Sequence, residues 1–229
     1  MTLFPERYTP RYPDRIQLYS MPTPNGKKVS IALEEMELPY EAHRVDILAG
    51  DQHHPEYLRI NPNGKIPSII DPDGPGGQPI AMMESGAILL YLAEKSGRLL
   101  STDPVERLET IQWLFFQMAS VGPMFGQFGH FYKYAKGKTD EYGQNRYGTE
   151  VKRLLGVLND RLKGRTFLVG EALSIADVAT APWMDALEYY EGKDFVEYSS
   201  FEHVVAWAER CSARPAFQRG AVVNAKPAA

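Results

Sequence analysis

Two short stretches of this chain put polar side chains where a helix begins. Thr23-Pro24-Asn25-Gly26 precedes one helical pattern, and Glu84-Ser85 ends an apolar run just as a second one starts. The first N–H groups of a helix lack intrahelical partners and carry the positive end of its dipole. Glu84 and Ser85 thus set a carboxylate and a hydroxyl beside a pocket for a ligand carboxylate. Thr23 and Asn25 supply a hydroxyl and an amide that can donate to sulfur, where a helix start lowers a thiol pKa. Between them, Ile66-Pro67 opens another apolar run. Proline cannot donate to a ladder, so it belongs at a strand's first residues, and an X-Pro bond there is a place for a cis peptide. A strand edge beside an anion pocket suits a small peptide-like ligand.

The chain has one cysteine, Cys211. It admits no intramolecular disulfide, and any thiol chemistry uses Cys211 or a thiol brought by a cofactor. Cys211 follows a helical pattern near the chain's end and reads as a buried or incidental thiol rather than a nucleophile. The five histidines show no metal spacing, so no metal is expected. A net charge of −4 gives no basic footprint for nucleic acid. No apolar run approaches the roughly 18 residues of a membrane span. Residues 1–15 hold three prolines and three arginines without an apolar h-region, unlike a secretory signal. The expected location is cytoplasmic.

The elements that must position these residues follow from periodicity. Ile16 to Tyr19 is a strand candidate, Lys27 to Glu37 a helix with Val29, Leu33 and Met36 on one face, and Tyr40 to Ile47 a second strand. That is a βαβ unit with a parallel pair. A short helix is expected from Pro55. Ile66–Asp71 and Pro79–Met83 flank a Gly/Pro loop, which suits an antiparallel hairpin. A helix from Ser85 stops at Gly97. After Pro104 the patterns are helical throughout: Val105 to Met118, with a kink or close packing at Gly122, Pro123, Gly126 and Gly129, then Asp140 to Leu162, then a run opened by the capping box Ser174-Ile175-Ala176-Asp177, then Phe201 to Ser212. The expected organisation is an extended arm (1–15) whose Tyr8 and Tyr12 pack on the body or a partner, an α/β domain (16–97), an all-helical domain (104–222) and a loose tail (223–229).

The order βαβαββα with a proline heading the third strand is the thioredoxin-like plan, in which a C-x-x-C pair sits at the start of the first helix. Here those positions read Thr23-Pro24-Asn25-Gly26, and both cysteines are missing. The site is built for a thiolate that the protein does not carry. Over nearly its whole length the chain resembles a cytosolic glutathione transferase, through Ile66-Pro67, Glu84-Ser85 and Ser174-Ile175-Ala176-Asp177. More narrowly, Pro22-Thr23-Pro24-Asn25-Gly26, Glu84-Ser85-Gly86-Ala87-Ile88-Leu89-Leu90-Tyr91-Leu92-Ala93-Glu94 and Gln112-Trp113-Leu114-Phe115 resemble the nu class, which includes bacterial glutathione-dependent disulfide-bond oxidoreductases.

The resemblance implies a set of roles. Thr23 and Asn25 face sulfur and are the catalytic candidates. Ile66 pairs with the cysteinyl unit of glutathione at the cis-Pro67 turn, Glu84 meets the γ-glutamyl ammonium, and Ser85 holds its carboxylate. Gln52 and Lys65 lie at the glycyl end, and Arg146 matches an arginine used for a glutathione carboxylate, in its own or a neighbouring subunit's site. The class holds one or two glutathiones, or one glutathione disulfide, per site, and two bound thiols replace the C-x-x-C pair. The function so implied is reduction of small disulfides by a homodimer. The alternatives are a transferase or peroxidase acting on electrophiles or hydroperoxides, and a non-catalytic scaffold on the same fold. Tyr19, after the first strand, is the rival thiol activator, with a core position preferred for it.

Overall fold

The computed structural model describes residues 3–138 and 141–226. The chain divides into two compact units. One comprises Met1–Arg98 with Pro215–Ala229, and the other Leu99–Arg214.

The first unit is built on a four-stranded sheet in the order β2-β1-β3-β4. Its strands are β1 (Ile16–Ser20), β2 (Tyr40–Arg44), β3 (Ser68–Asp71) and β4 (Ile80–Met83). β1 and β2 are parallel, as the α1 crossover between them requires; β3 runs antiparallel to both β1 and β4. The second strand ends at Arg44, three residues before the expected Ile47. Helix α1 (Pro24–Met36) starts three residues earlier than its apolar pattern, because Pro24 fits a first helical position and Thr23 caps it. Helices α2 (Pro55–Leu58) and α3 (Ser85–Ser96) also belong to the unit, with Gly97 closing α3 at φ +69°.

The ladder fixes where the functional stretches meet. Tyr19 pairs with Ser68, and Ser68 pairs with Met83. The end of β1, the beginning of β3 and the end of β4 therefore lie at one end of the sheet. Thr23-Asn25, Ile66-Pro67 and Glu84-Ser85 all emerge there.

The described chain ends differ from the sequence-based expectation. Helix α10 (Pro215–Ala221), expected with the all-helical domain, packs on α1 in the first unit. A Cβ on Gly220 would lie 2.6 Å from the Ile31 backbone, and Ser30 Oγ donates to the Gly220 carbonyl at 2.7 Å. The tail is tied down as far as it is described. Asn224 Nδ2 donates to the His43 carbonyl at 3.0 Å and to the Ser20 carbonyl at 3.2 Å, and Lys226 pairs with Asp46. Residues 227–229 of the expected tail lie outside the described residues, as do residues 1 and 2 of the arm. The described part of the arm is not simply extended. A short turn (Glu6–Tyr8) buries Tyr8 with Tyr19, Val45, Tyr57, Ile60 and Ile70, and Arg7 ion-pairs with Asp51. Tyr12 stays on the surface under the Arg15 guanidinium.

The second unit is helical: α4 (Pro104–Phe116), α5 (Gly122–Gly129), α6 (Glu141–Leu162), α7 (Ile175–Thr180), α8 (Pro182–Tyr189) and α9 (Glu202–Ser212). The expected start of α6 at Asp140 lies outside the described residues. The glycines after α4 do not interrupt the helix. It runs on through wide π turns at Gln117–Val121 and His130–Tyr134. The glycines allow close packing instead: a Cβ on Gly129 would fall 2.4 Å from the Tyr190 ring. The capping box is present. Asp177 accepts from the Ser174 N–H at 3.0 Å, the Leu168 N–H at 2.8 Å and Trp207 Nε1 at 2.9 Å. Burial pushes the Asp177 pKa up, against these hydrogen bonds, which favour its charged form. Among the described residues no helix is long and apolar enough to cross a membrane, and no group of three or more His, Cys, Asp or Glu could hold a metal.

Candidate functional site

At the start of α1 the side chain of Thr23 accepts the Gly26 N–H at 3.3 Å. Its oxygen is occupied as an acceptor, so its own hydrogen points elsewhere. Pro24 brings no N–H. Gly26 is required by space: a Cβ there would stand 2.0 Å from the Met21 carbonyl oxygen. Thr23 and Asn25 are half-buried.

Lys28, near the start of α1, also belongs to the site. Its side chain is 1% exposed, and its ammonium donates to Asn25 Oδ1 at 2.7 Å and to Ser85 Oγ at 3.3 Å. Lys28 thus joins the N-termini of α1 and α3. Burial draws its pKa down to about 7, while the Glu84 carboxylate pulls it back up. The available signal was the i, i+3 spacing from Asn25 to Lys28 on one helix face.

The Ile66-Pro67 peptide is cis, and it lies just ahead of β3. Its loop is braced from below. The Tyr57 hydroxyl and Asn61 Nδ2 both donate to the Lys65 carbonyl, at 2.5 and 2.7 Å, and the Tyr57 hydroxyl also meets Ser68 Oγ at 3.0 Å. Among the described residues nothing hydrogen-bonds to the Ile66 backbone, which leaves an edge that an extended peptide can join. Pro67 is buried, whereas the Lys65 side chain is exposed. Gln52, in the turn Asp51–His53, lies beside this loop: a Cβ on Gly64 would come 3.4 Å from the Gln52 carbonyl. Gln52 Nε2 donates to the Ile47 carbonyl at 3.4 Å, and Oε1 is buried with no partner among the described residues. An unmet buried acceptor costs about 1–3 kcal/mol, which a ligand N–H would recover.

Glu84 is exposed and holds φ +67°, a region that disfavours side chains, and it caps α3 without a side-chain hydrogen bond. Such strain, about 1–3 kcal/mol, concentrates at functional sites. Next to it Ser85 is buried at 6% exposure.

Thr23, Asn25, Gln52, Lys65, Ile66, Pro67, Glu84 and Ser85 all belong to the first unit, while Arg146 lies exposed on α6 of the second. Arg146 and Arg153 both favour the charged form of Glu150, Arg153 by far the more directly through a hydrogen bond. Tyr19 is fully buried and stacked on His43, with rings 4.9 Å apart. Burial raises its pKa, so it is badly placed to activate a thiol. Cys211 is fully buried on α9.

A family model for the glutathione S-transferase N-terminal domain matches residues 18–99, and one for the C-terminal domain matches residues 111–215. The Escherichia coli disulfide-bond oxidoreductase YfcG is 46% identical over 202 residues, spanning 88% of this chain and 92% of its own length. A Pseudomonas fluorescens glutathione transferase family member, solved with two glutathione bound, superposes with a TM-score of 0.95 at 50% identity, covering 97% of this chain and 100% of its own. A Pseudomonas putida glutathione transferase, solved with one glutathione disulfide per subunit, gives 0.93 at 50% identity over 97% and 96%. The chain belongs to the glutathione S-transferase family.

Proposed function

We propose that this protein is a glutathione-dependent disulfide-bond oxidoreductase that works with glutathione thiols and no cysteine of its own. The observation that carries the reading is the start of α1. It presents Thr23 and Asn25 where a thiol would be stabilised, while the one cysteine, Cys211, is fully buried on α9. Its supports are the names and bound ligands of the relatives, the open Ile66 edge, and the strained Glu84 beside buried Ser85. Ile66 takes the cysteinyl unit, Glu84 and Ser85 the γ-glutamyl end, and Gln52 and Lys65 the glycyl end. Arg146 is assigned to a glutathione carboxylate on the family resemblance alone.

Two glutathiones, or one glutathione disulfide, occupy the site in turn. One bound thiolate attacks a substrate disulfide, forming a mixed disulfide and expelling a substrate thiolate. The second attacks the glutathione sulfur of that mixed disulfide, releasing the other substrate thiolate and leaving glutathione disulfide. Two electrons pass to the substrate, and the two thiols' protons balance the released thiolates.

The protein works in the cytoplasm, the reducing compartment that a single buried thiol fits. It works as a homodimer, for which α4 offers a stripe of exposed apolar side chains: Val105, Leu108 and Phe115, each 66–69% exposed. Phe115→Asp should then yield a monomer by light scattering.

Parallel assays with 2-hydroxyethyl disulfide, cumene hydroperoxide and 1-chloro-2,4-dinitrobenzene test the chemistry. Disulfide turnover should dominate and should survive Cys211→Ala nearly unchanged. Turnover of the chloroarene alone, or a large loss in the Cys211 variant, would overturn the borrowed-thiol mechanism.

A further inference from the structure

We infer that Lys28 is the positioning residue of this site: by donating to both Asn25 Oδ1 and Ser85 Oγ, it turns the Asn25 amide N–H2 toward the thiolate and the Ser85 O–H toward the γ-glutamyl carboxylate. The inference rests on the glutathione reading above and deepens it.

The argument is one of hydrogen-bond polarity. An ammonium has three donors and no acceptor. Whatever faces it must offer an oxygen lone pair. At 2.7 Å from Lys28 Nζ, the Asn25 amide presents Oδ1, so its two N–H donors point away from Lys28. A side-chain amide left to itself can present either end; facing the protonated Lys28, this one cannot. The same logic holds at Ser85, whose Oγ lies 3.3 Å from the same nitrogen. That oxygen accepts from Lys28, so its own hydrogen points away from the ammonium. A glutathione thiolate and a carboxylate are both acceptors. One buried cation therefore sets two groups, on two helices, to donor polarity at once.

Burial fits this role better than direct ligand contact. Lys28 is 1% exposed, and it reaches the ligand through Asn25 and Ser85. A surface lysine would supply a screened charge but would not fix the amide. Glu84 is the carboxylate that favours the charged form of Lys28. The residue that takes the γ-glutamyl ammonium thus also sustains the cation behind the carboxylate site.

The test uses the full chain and its variants Lys28→Met, Asn25→Ala and Lys28→Met/Asn25→Ala, with folding checked by circular dichroism and melting. Two quantities are read. The first is the pKa of bound glutathione's thiol, from the ultraviolet absorbance of the thiolate. The second is the affinity for S-methylglutathione, which keeps the γ-glutamyl end but cannot form a thiolate. Lys28→Met should weaken S-methylglutathione roughly tenfold, the scale of one hydrogen bond to a charged group. It should also raise the bound thiol's pKa in the parent and leave it unmoved in the Asn25→Ala background. A folded Lys28→Met variant with both quantities unchanged overturns the inference. So does an equal pKa rise with and without Asn25, which would mean that the ammonium acts by its field alone. Failure of the unmodified protein to bind glutathione at all would instead overturn the functional reading.

Discussion

The Tyr57 hydroxyl donates to the Lys65 carbonyl at 2.5 Å, from a ring that is fully buried beneath the Ile66-Pro67 turn. Asn61 Nδ2 donates to the same oxygen at 2.7 Å. The carbonyl is held twice, so either donor can be lost without orphaning it. Tyr57→Phe and Asn61→Ala should each cost about 1 kcal/mol in urea unfolding. The double variant should cost more than the sum, because the last donor goes with it. Glutathione affinity should fall in step, since this loop carries Ile66. Simple additivity in both measurements would show that the two bonds do not share one task.

Ser85 and Glu84 should separate by readout. Ser85→Ala removes a buried hydroxyl at the α3 start and should weaken glutathione by about 1–3 kcal/mol by calorimetry. Glu84→Gln keeps the strained φ of +67° but loses the charge. It should weaken glutathione more than a ligand that lacks the γ-glutamyl ammonium, which loses only the support that Glu84 lends to the Lys28 charge. Unchanged glutathione affinity in Ser85→Ala would return that residue to a purely helix-starting role.

Much of this was legible locally. Ile66-Pro67, Glu84-Ser85 and Ser174-Asp177 declare themselves because their chemistry acts within a few residues: a missing donor, an unmet N–H, a reciprocal cap. What escaped depends on contacts far apart in sequence. Lys28 sits where a lysine would ordinarily be solvated, and only the placement of α3 puts Ser85 against it. Periodicity marks Val29, Leu33 and Met36 as one face of α1. It does not mark Ser30, which is buried where α10 returns from the far end of the chain and the Gly220 carbonyl accepts its hydroxyl. The tail looked loose by composition, yet Asn224 bonds to β1 and to β2. Small polar residues do not announce partners 181 and 204 residues away.

Lys28 also makes stability depend on pH in a defined direction. Its folded pKa of about 7 lies below the roughly 10.4 of an unfolded lysine. Below about pH 7 both states hold the proton, and the folded state carries the full penalty of a buried charge. Between about pH 7 and 10 the unfolded chain binds the proton that the folded chain has released, so stability rises with pH. Lys28→Met lacks this term. The variant should be more stable than the parent near pH 6, on the order of a few kcal/mol at most, with the gap closing toward pH 9. Glu84→Gln should steepen the effect by removing the charge that opposes it. Parallel pH profiles for parent and Lys28→Met would show that the ammonium is not desolvated as the fold implies.

Two glycine substitutions on helices should move in opposite directions. Gly156 lies within α6, and a Cβ there would come no closer than 4.0 Å to the Phe201 ring. Gly156→Ala should raise stability by about 0.4–1 kcal/mol, the usual gain from a stiffer unfolded chain. Gly26→Ala carries the same helix preference, but its Cβ would stand 2.0 Å from the Met21 carbonyl oxygen. That oxygen accepts the Thr23 N–H at 2.7 Å, so the carbonyl cannot retreat without dragging the residue that caps α1. Relief must come from the helix start itself. Gly26→Ala should therefore lose about 1–3 kcal/mol, the range of overpacking a tight site. It should also lower disulfide turnover by displacing Thr23 and Asn25 from the sulfur. A Gly26→Ala protein as stable and as active as its parent would mean that the α1 start tolerates a shift this geometry forbids.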